Sequence, residues 1–317
     1  MRKWQVTTVT PNPALDRTYW LEEFQPGRQY RAGRGKVDPG GKGINIARVL
    51  QGYGLEVAAL GFFAGLSGQE LLRLLAAEEI KTQPVLVEGE TRTNTKIIDP
   101  AGQTLTEINE PGPSVGEGEI DQFQWYVADY AANSRYMIFA GSLPRNCPPD
   151  FYGRLIRTAK QSGCRTLLDT SGAALAEGSK AVPYLIKPNQ QELAGLCGRE
   201  IGTAPAAVAA AAEVRKAYGV EAVVVSLGAQ GAVLVEQKGA YLAVPPEVKV
   251  KNPVGAGDSL VAGLVYGLLA GYSLPESLRL GVAAGTMAVL DEATSMAKPR
   301  VETALAFWKE VELKRLS

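Results

Sequence analysis

Along this chain, short runs of apolar, largely β-branched residues alternate with stretches in which apolar positions recur every three or four residues. The runs at 6–10, 58–62, 136–140, 166–168, 184–186 and 222–226 predict strands. The stretches at 44–53, 68–77, 120–132, 150–161, 190–196, 205–218, 260–270 and 275–290 predict helices. Strands that are apolar throughout must be covered on both faces, and the βαβα order supplies the helices that cover them. The expectation is an α/β fold with a mostly parallel central sheet between helical layers, and with ligands beyond the carboxyl ends of the strands.

Two segments break this rhythm. Residues 15–36 are polar and rich in Gly and Arg, while 95–109 reads as a hairpin with arms Lys96-Ile97-Ile98 and Leu105-Thr106-Glu107-Ile108 around Asp99-Pro100-Ala101-Gly102. Neither fits a crossover helix. Both read as strands leaving the main sheet near its ligand edge, as a small β-sheet lid or a dimer surface; two ordinary surface excursions are the plainer alternative.

Composition narrows the chemistry. At 317 residues and 46% hydrophobic content, the chain can bury the core of one large α/β domain or two ordinary ones. Lys plus Arg and Asp plus Glu both number 33, so the charge balance points to neither nucleic acid nor an anionic membrane as partner. Met1-Arg2-Lys3-Trp4 runs straight into the first strand without the apolar stretch of a signal peptide, and no segment holds about 18 uninterrupted apolar residues, so a cytoplasmic protein is expected. Cys147, Cys164 and Cys197 are odd in number and widely spaced, and are expected to be buried and reduced. The sequence contains no histidine. That removes Ser-His-Asp and Cys-His catalysis and H-E-x-x-H zinc sites, leaving general-base work to Asp, Glu, Lys or Tyr.

The most informative motif is Asn252-Pro253-Val254-Gly255-Ala256-Gly257-Asp258-Ser259, which puts two glycines and a carboxylate at the mouth of a long apolar helix. A glycine-rich lead-in lets an anion approach the unpaired N–H groups of a helix N-terminus, and phosphate is the natural guest. An aspartate there would repel the anion unless it had its own task, such as taking a proton from an attacking hydroxyl; the plainer alternative is a helix cap.

Weaker motifs accompany it. Asp16 follows the first strand in Asn12-Pro13-Ala14-Leu15-Asp16, and Gly40-Gly41-Lys42-Gly43-Ile44-Asn45 opens the first long helix with a spacing unlike a P-loop or a dinucleotide fingerprint. Arg92, Asn94 and Lys96 share one strand face at period two, an arrangement suited to a sugar phosphate or simply to solvent. Ser142 lies just past a strand end. Asn189 and Glu192, after Lys187, are spaced either to hold a hydrated magnesium ion or to form a capping box. Ser226, Gly228 and Gly231 make a turn that fits nucleotide phosphates.

In this order, the motifs from Asn12-Pro13-Ala14-Leu15-Asp16 through Gly40 to Asn45, Thr91-Arg92, Gly141-Ser142-Leu143-Pro144, Lys187-Pro188-Asn189, Val225-Ser226-Leu227-Gly228 and Val254 to Ser259 resemble the ribokinase-like (PfkB) carbohydrate kinases nearly end to end. The branch is the one that holds 1-phosphofructokinase, tagatose-6-phosphate kinase and the minor 6-phosphofructokinase. The resemblance implies a single ribokinase-like three-layer αβα domain over 1–317, with a lid from inserted segments at about 15–36 and 93–109 that pairs two subunits in relatives. It implies Asp258 as the base for in-line attack on the γ-phosphate of ATP, with Gly255, Ala256 and Gly257 as the anion hole.

The same resemblance assigns Asp16, Gly40, Gly41, Lys42 and Asn45 to the sugar oxygens and Arg92 and Ser142 to the substrate phosphate, with Arg28, Asn94 and Lys96 completing a cationic substrate site. Lys187, Asn189, Ser226, Gly228 and Gly231 would line the ATP phosphates, Asn189 and Glu192 would position Mg²⁺ through water, and carbonyls of 252–254 and 288–295 would hold a monovalent cation such as K⁺. Lys42 and the Thr91 to Lys96 strand resemble 1-phosphofructokinases, so fructose 1-phosphate leads. Arg28 and Asn252-Pro253-Val254-Gly255 lean toward a minor 6-phosphofructokinase or a tagatose-6-phosphate kinase. A non-catalytic sugar-phosphate sensor on the same fold is the reading from another class.

Overall fold

The computed structural model describes residues 3–290 and 300–316. Its strands are β1 (Trp4–Thr10), β2 (Ala14–Trp20), β3 (Arg34–Gly40), β4 (Val57–Ala64), β5 (Lys81–Val87), β6 (Arg92–Asp99), β7 (Thr104–Asn109), β8 (Ser134–Ala140), β9 (Arg165–Asp169), β10 (Leu185–Ile186), β11 (Ala222–Ser226), β12 (Ala232–Glu236), β13 (Gly239–Val244) and β14 (Glu312–Arg315). Its helices are α1 (Lys42–Gly52), α2 (Gly65–Ala77), α3 (Glu117–Ala132), α4 (Phe151–Gln161), α5 (Gly172–Ser179), α6 (Gln190–Cys197), α7 (Ala204–Tyr218), α8 (Ala256–Leu269), α9 (Leu274–Ala288) and α10 (Val301–Trp308).

The main sheet runs β14-β13-β12-β11-β10-β9-β8-β1-β4-β5. From β11 to β5 every neighbour is parallel, and β12 to β14 close the other edge as an antiparallel meander. Period-two alternation sends successive strand residues to opposite faces. Ile138, Leu167 and Val224 therefore pack on one side with α1, α2, α8 and α9, whereas Phe139, Leu168 and Val225 pack on the other with α3, α4 and α7. This is the helix-covered parallel sheet expected from the alternating pattern, in the three-layer ribokinase-like arrangement that the resemblance implied.

A second sheet, ordered β3-β2-β6-β7, stands apart from the first. It is built from the two segments that broke the rhythm: β2 pairs antiparallel with β3 and parallel with β6, and the hairpin β6–β7 sets Ile98 opposite Leu105. Strand β3 continues to Gly40, so the small sheet hands the chain directly to α1.

Several elements depart from the periodicity reading. Helix α8 starts at Ala256, four residues before the predicted 260, so Asp258 lies inside its first turn. β5 was hidden by Pro84 and its polar start, and β14 (Glu-Leu-Lys-Arg) by a charge pattern that only an edge strand tolerates. All three cysteines are free, but only Cys164 is buried; Cys147 and Cys197 are half-buried, packed at the margin of the core near the ends of α4 and α6. No helix among the described residues is long and apolar enough to cross a membrane.

Candidate active site

The carboxyl ends of β8, β9, β10 and β11 and the N-termini of α1 and α8 meet in a cleft of about 610 Å³, over which the small sheet lays Asp16, Asn94 and Lys96. Gly255 is the N-cap of α8 at φ 81° and ψ −2°, a left-handed conformation open to glycine at little cost. Its lead-in is fixed by Asn252, whose Oδ1 accepts from Val254 N at 3.0 Å. No side chain caps the helix, so the first-turn N–H groups of Gly257 and Asp258 are left for an anion, while Ala256 N makes only a long bond, 3.5 Å, to Pro253 O.

Asp258 is buried beside them. Asn45 Nδ2, from the first turn of α1, donates to Asp258 Oδ2 at 2.8 Å and so orients the carboxylate. Burial, and then the negative charge of Asp169, push the Asp258 pKa up to about 6, against the opposing pull of Asn45, Lys42 and Lys187. A carboxylate poised near neutrality at a helix N-terminus is suited to accept a proton.

Asp169 organises the cations. It is 1% exposed, and it receives Lys42 Nζ on Oδ1 at 2.8 Å and Lys187 Nζ near Oδ2 at 3.3 Å. Lys42 also lies 3.8 Å from Glu192 Oε1. Burial alone would lower the Lys42 pKa, but the carboxylates of Asp169 and Glu192 outweigh it and raise it, so Lys42 stays charged. Lys187 Nζ is 3.9 Å from where a Cβ on Gly257 would sit, which puts a cation beside the first turn of α8. The sequence reading passed over Asp169; its one signal was a carboxylate directly after a predicted strand, at the ligand edge.

The roof is a second charged group. Asp16 Oδ1 accepts from Asn94 Nδ2 at 3.0 Å and Oδ2 from Lys96 Nζ at 2.7 Å, all three residues being buried. A Cβ on Gly40 would overlap the Asp16 carboxylate, so glycine is needed there. Arg92 turns its Nε and Nη2 onto the carbonyl of Asn12 at 3.2 and 2.9 Å, and Ser142 Oγ accepts from Asn12 Nδ2 at 3.3 Å. Arg92, Ser142, Gly41 and Lys42 all line the cleft. Arg28 does not: it is exposed in the connection between β2 and β3.

An adjoining cavity of about 870 Å³ shares Asn189, Ser226, Pro253 and Gly257 with the cleft. Gly228 and Gly231 line its polar end, and Leu260, Val282 and Val289 give it an apolar wall. Asn189 and Glu192 form the capping box: Glu192 N donates to Asn189 Oδ1 and Asn189 N to Glu192 Oε2, both at 2.8 Å. Among the described residues no group of three or more His, Cys, Asp or Glu can hold a metal ion. The remaining Glu192 oxygen and Asn189 thus fit a magnesium ion held through water and nucleotide phosphates, not one ligated directly. Of the carbonyls expected to hold a monovalent cation, those of 291–295 lie outside the described residues.

Residues 10–300 match the model of the pfkB family carbohydrate kinases. The chain is 39% identical over 270 residues to the 1-phosphofructokinase of Xanthomonas campestris pv. campestris, covering 84% of each protein. It is 33% identical to a tagatose-6-phosphate kinase of Staphylococcus epidermidis, over 91% of this chain and 93% of that one. Its fold superposes on Escherichia coli phosphofructokinase-2, solved in complex with potassium, with a TM-score of 0.90 and 32% identity over 96% and 98% of the two chains. A family match over almost the whole length, with a matching fold, shows that this chain belongs to the pfkB family of carbohydrate kinases and is a phosphotransferase.

Proposed function

We propose that the protein phosphorylates fructose 1-phosphate, and that Asp258 is the base. In this reading Asp258 Oδ1, which Asn45 leaves available, takes the proton of the 6-hydroxyl as that oxygen attacks the γ-phosphorus of ATP. The bond from the γ-phosphorus to the β,γ-bridging oxygen breaks, and ADP leaves with fructose 1,6-bisphosphate formed. N–H groups of Ala256 and Gly257, with Lys187 and Lys42 held by Asp169, receive the charge that spreads over the transferred group. Magnesium, held through water near Asn189 and Glu192, would neutralise the β- and γ-phosphates. Arg92 and Ser142 hold the substrate's own phosphate, while Asp16, Asn94 and Lys96 face its hydroxyls from the small sheet, which acts as a lid.

The observation that carries the reading is Asp258 itself, buried in the first turn of α8 with a pKa of about 6 and a donor fixed on one oxygen. Identity to a 1-phosphofructokinase supports the sugar, and the 33% match to a tagatose-6-phosphate kinase keeps that enzyme as the second reading. The test is ADP release with Mg-ATP on fructose 1-phosphate, fructose 6-phosphate, tagatose 6-phosphate and free fructose. The highest kcat/KM is expected on fructose 1-phosphate; a preference for tagatose 6-phosphate overturns the assignment in favour of the second reading.

A further inference from the structure

Asn12 takes no part in the chemistry above, yet it is 3% exposed and sits where three loops meet. Its Nδ2 donates to Pro111 O at 3.1 Å, to Ser142 Oγ at 3.3 Å and to Leu143 O at 3.4 Å. Its own carbonyl accepts two guanidinium N–H groups of Arg92. Both groups read as holding the substrate's phosphate are therefore seated on one residue. The packing around the amide is close: a Cβ on Gly112, at φ 85°, would overlap Asn12 Oδ1.

There is a physical reason for Arg92 to need such a seat. It lines the cleft, and it also lines a second cavity of about 820 Å³ whose walls carry Glu88, Glu90, Glu110 and Glu119 against one further cation, Arg145. Glu90 and Glu110 already accept backbone N–H groups, from Leu66 and Ser67 and from Thr93. A carboxylate has about four acceptor positions, so both retain capacity for a guanidinium. Burial lowers the Arg92 pKa, with Asp16 and then Tyr152 acting against it. The carboxylates of that second cavity are the alternative destination for the fork.

We infer that Asn12 is a positioning residue for substrate binding: it clamps the 111–113 and 142–144 loops and, through its carbonyl, keeps the Arg92 fork turned toward the cleft instead of the acidic cavity. This rests on the reading of Arg92 as the phosphate ligand. The loss on removing it should fall on the sugar phosphate alone, because the nucleotide cavity shares no residue with this hub.

The experiment is a double-mutant cycle in steady-state kinetics. Arg92→Ala is expected to raise KM for the sugar phosphate about a hundredfold, as for loss of a charge-assisted pair, and Asn12→Ala about tenfold, with kcat falling less and KM for ATP unchanged. In the Arg92→Ala background, Asn12→Ala should add less than about threefold, since it acts through that arginine. Gly112→Ala, which displaces the amide from outside the cleft, should reproduce the direction of Asn12→Ala and carries the test if Asn12→Ala does not fold. If Arg92→Ala raises KM while the Asn12 and Gly112 variants leave it unchanged, or if the Asn12 effect multiplies fully with that of Arg92, the positioning role is overturned. Unchanged KM in Arg92→Ala itself removes the phosphate assignment and this inference with it.

Discussion

The pressure on Asp258 makes activity and stability oppose each other at one residue. Its pKa of about 6 in the folded chain stands against an ordinary 3.8, through burial first and Asp169 second. Between those values the native state binds the proton more tightly than the unfolded chain does. Stability is therefore lost as pH rises through that window, by on the order of 3 kcal/mol once the carboxylate is ionised. The same ionisation is needed for a base, so kcat/KM should climb with pH through about 6. Asp258→Asn separates the two effects. Its kcat should fall by about a thousandfold or more while its melting temperature rises at pH 8, with the stability gain vanishing at pH 4. Near-normal turnover removes Asp258 from the base role, and an unchanged melting temperature at pH 8 removes the strain argument.

The first turn of α8, proposed as the anion hole, is only as well placed as the helix it opens, and α8 is seated on α9 by glycines. A Cβ on Gly263 would lie 2.7 Å from Leu280 O and 2.8 Å from Ala284 Cβ, and one on Gly281 would lie 2.6 Å from Leu260 O. On a free helix Gly→Ala stabilises by about 1 kcal/mol. Here the new methyl meets backbone that cannot turn aside, so Gly263→Ala should destabilise by about 1–3 kcal/mol, measured by denaturant unfolding, and lower kcat as the first turn shifts. A stabilised variant would show that the helices can part. This element also shows what was legible beforehand. The apolar body of α8 announces a helix, but its first turn, Ala-Gly-Asp-Ser, has no periodicity, and the start was placed four residues late. The strands of the parallel core read cleanly because both faces are buried. The pairings inside the cleft did not read at all: Lys42 meets Asp169 across 127 positions and Asp16 meets Lys96 across 80, separations that no local spacing encodes. The strand-end rule located the rim, and only the fold decided which carboxylate meets which cation.

At the scale of the molecule, the small sheet has one face turned to the cleft and an opposite face that leaves apolar side chains exposed among the described residues. Asp16, Asn94 and Lys96 point to the cleft, so the adjacent register row of Arg17, Val37, Thr95 and Ile108 points away from it. Val37 is 42% and Ile108 57% exposed there, apolar surface left on that face. Arg28 lies exposed in the β2–β3 connection of the same sheet, and Asp99, by accepting from Glu23 N and Phe24 N, anchors that loop to the end of β6. A second copy of this chain docked on the outer face would bury the apolar row and carry each Arg28 toward its neighbour's cleft. That arrangement predicts complementation between two defective subunits. Arg28→Ala lacks the donated cation and Asp258→Asn lacks the base, but a hybrid dimer of the two has one cleft with its own Asp258 and the partner's arginine. Refolding the variants together at equal amounts should therefore restore about a quarter of the wild-type activity on the sugar phosphate, with half of the dimers hybrid and one cleft working in each. If Arg28 served its own cleft, no combination would hold both groups, and the mixture would be no more active than its parts.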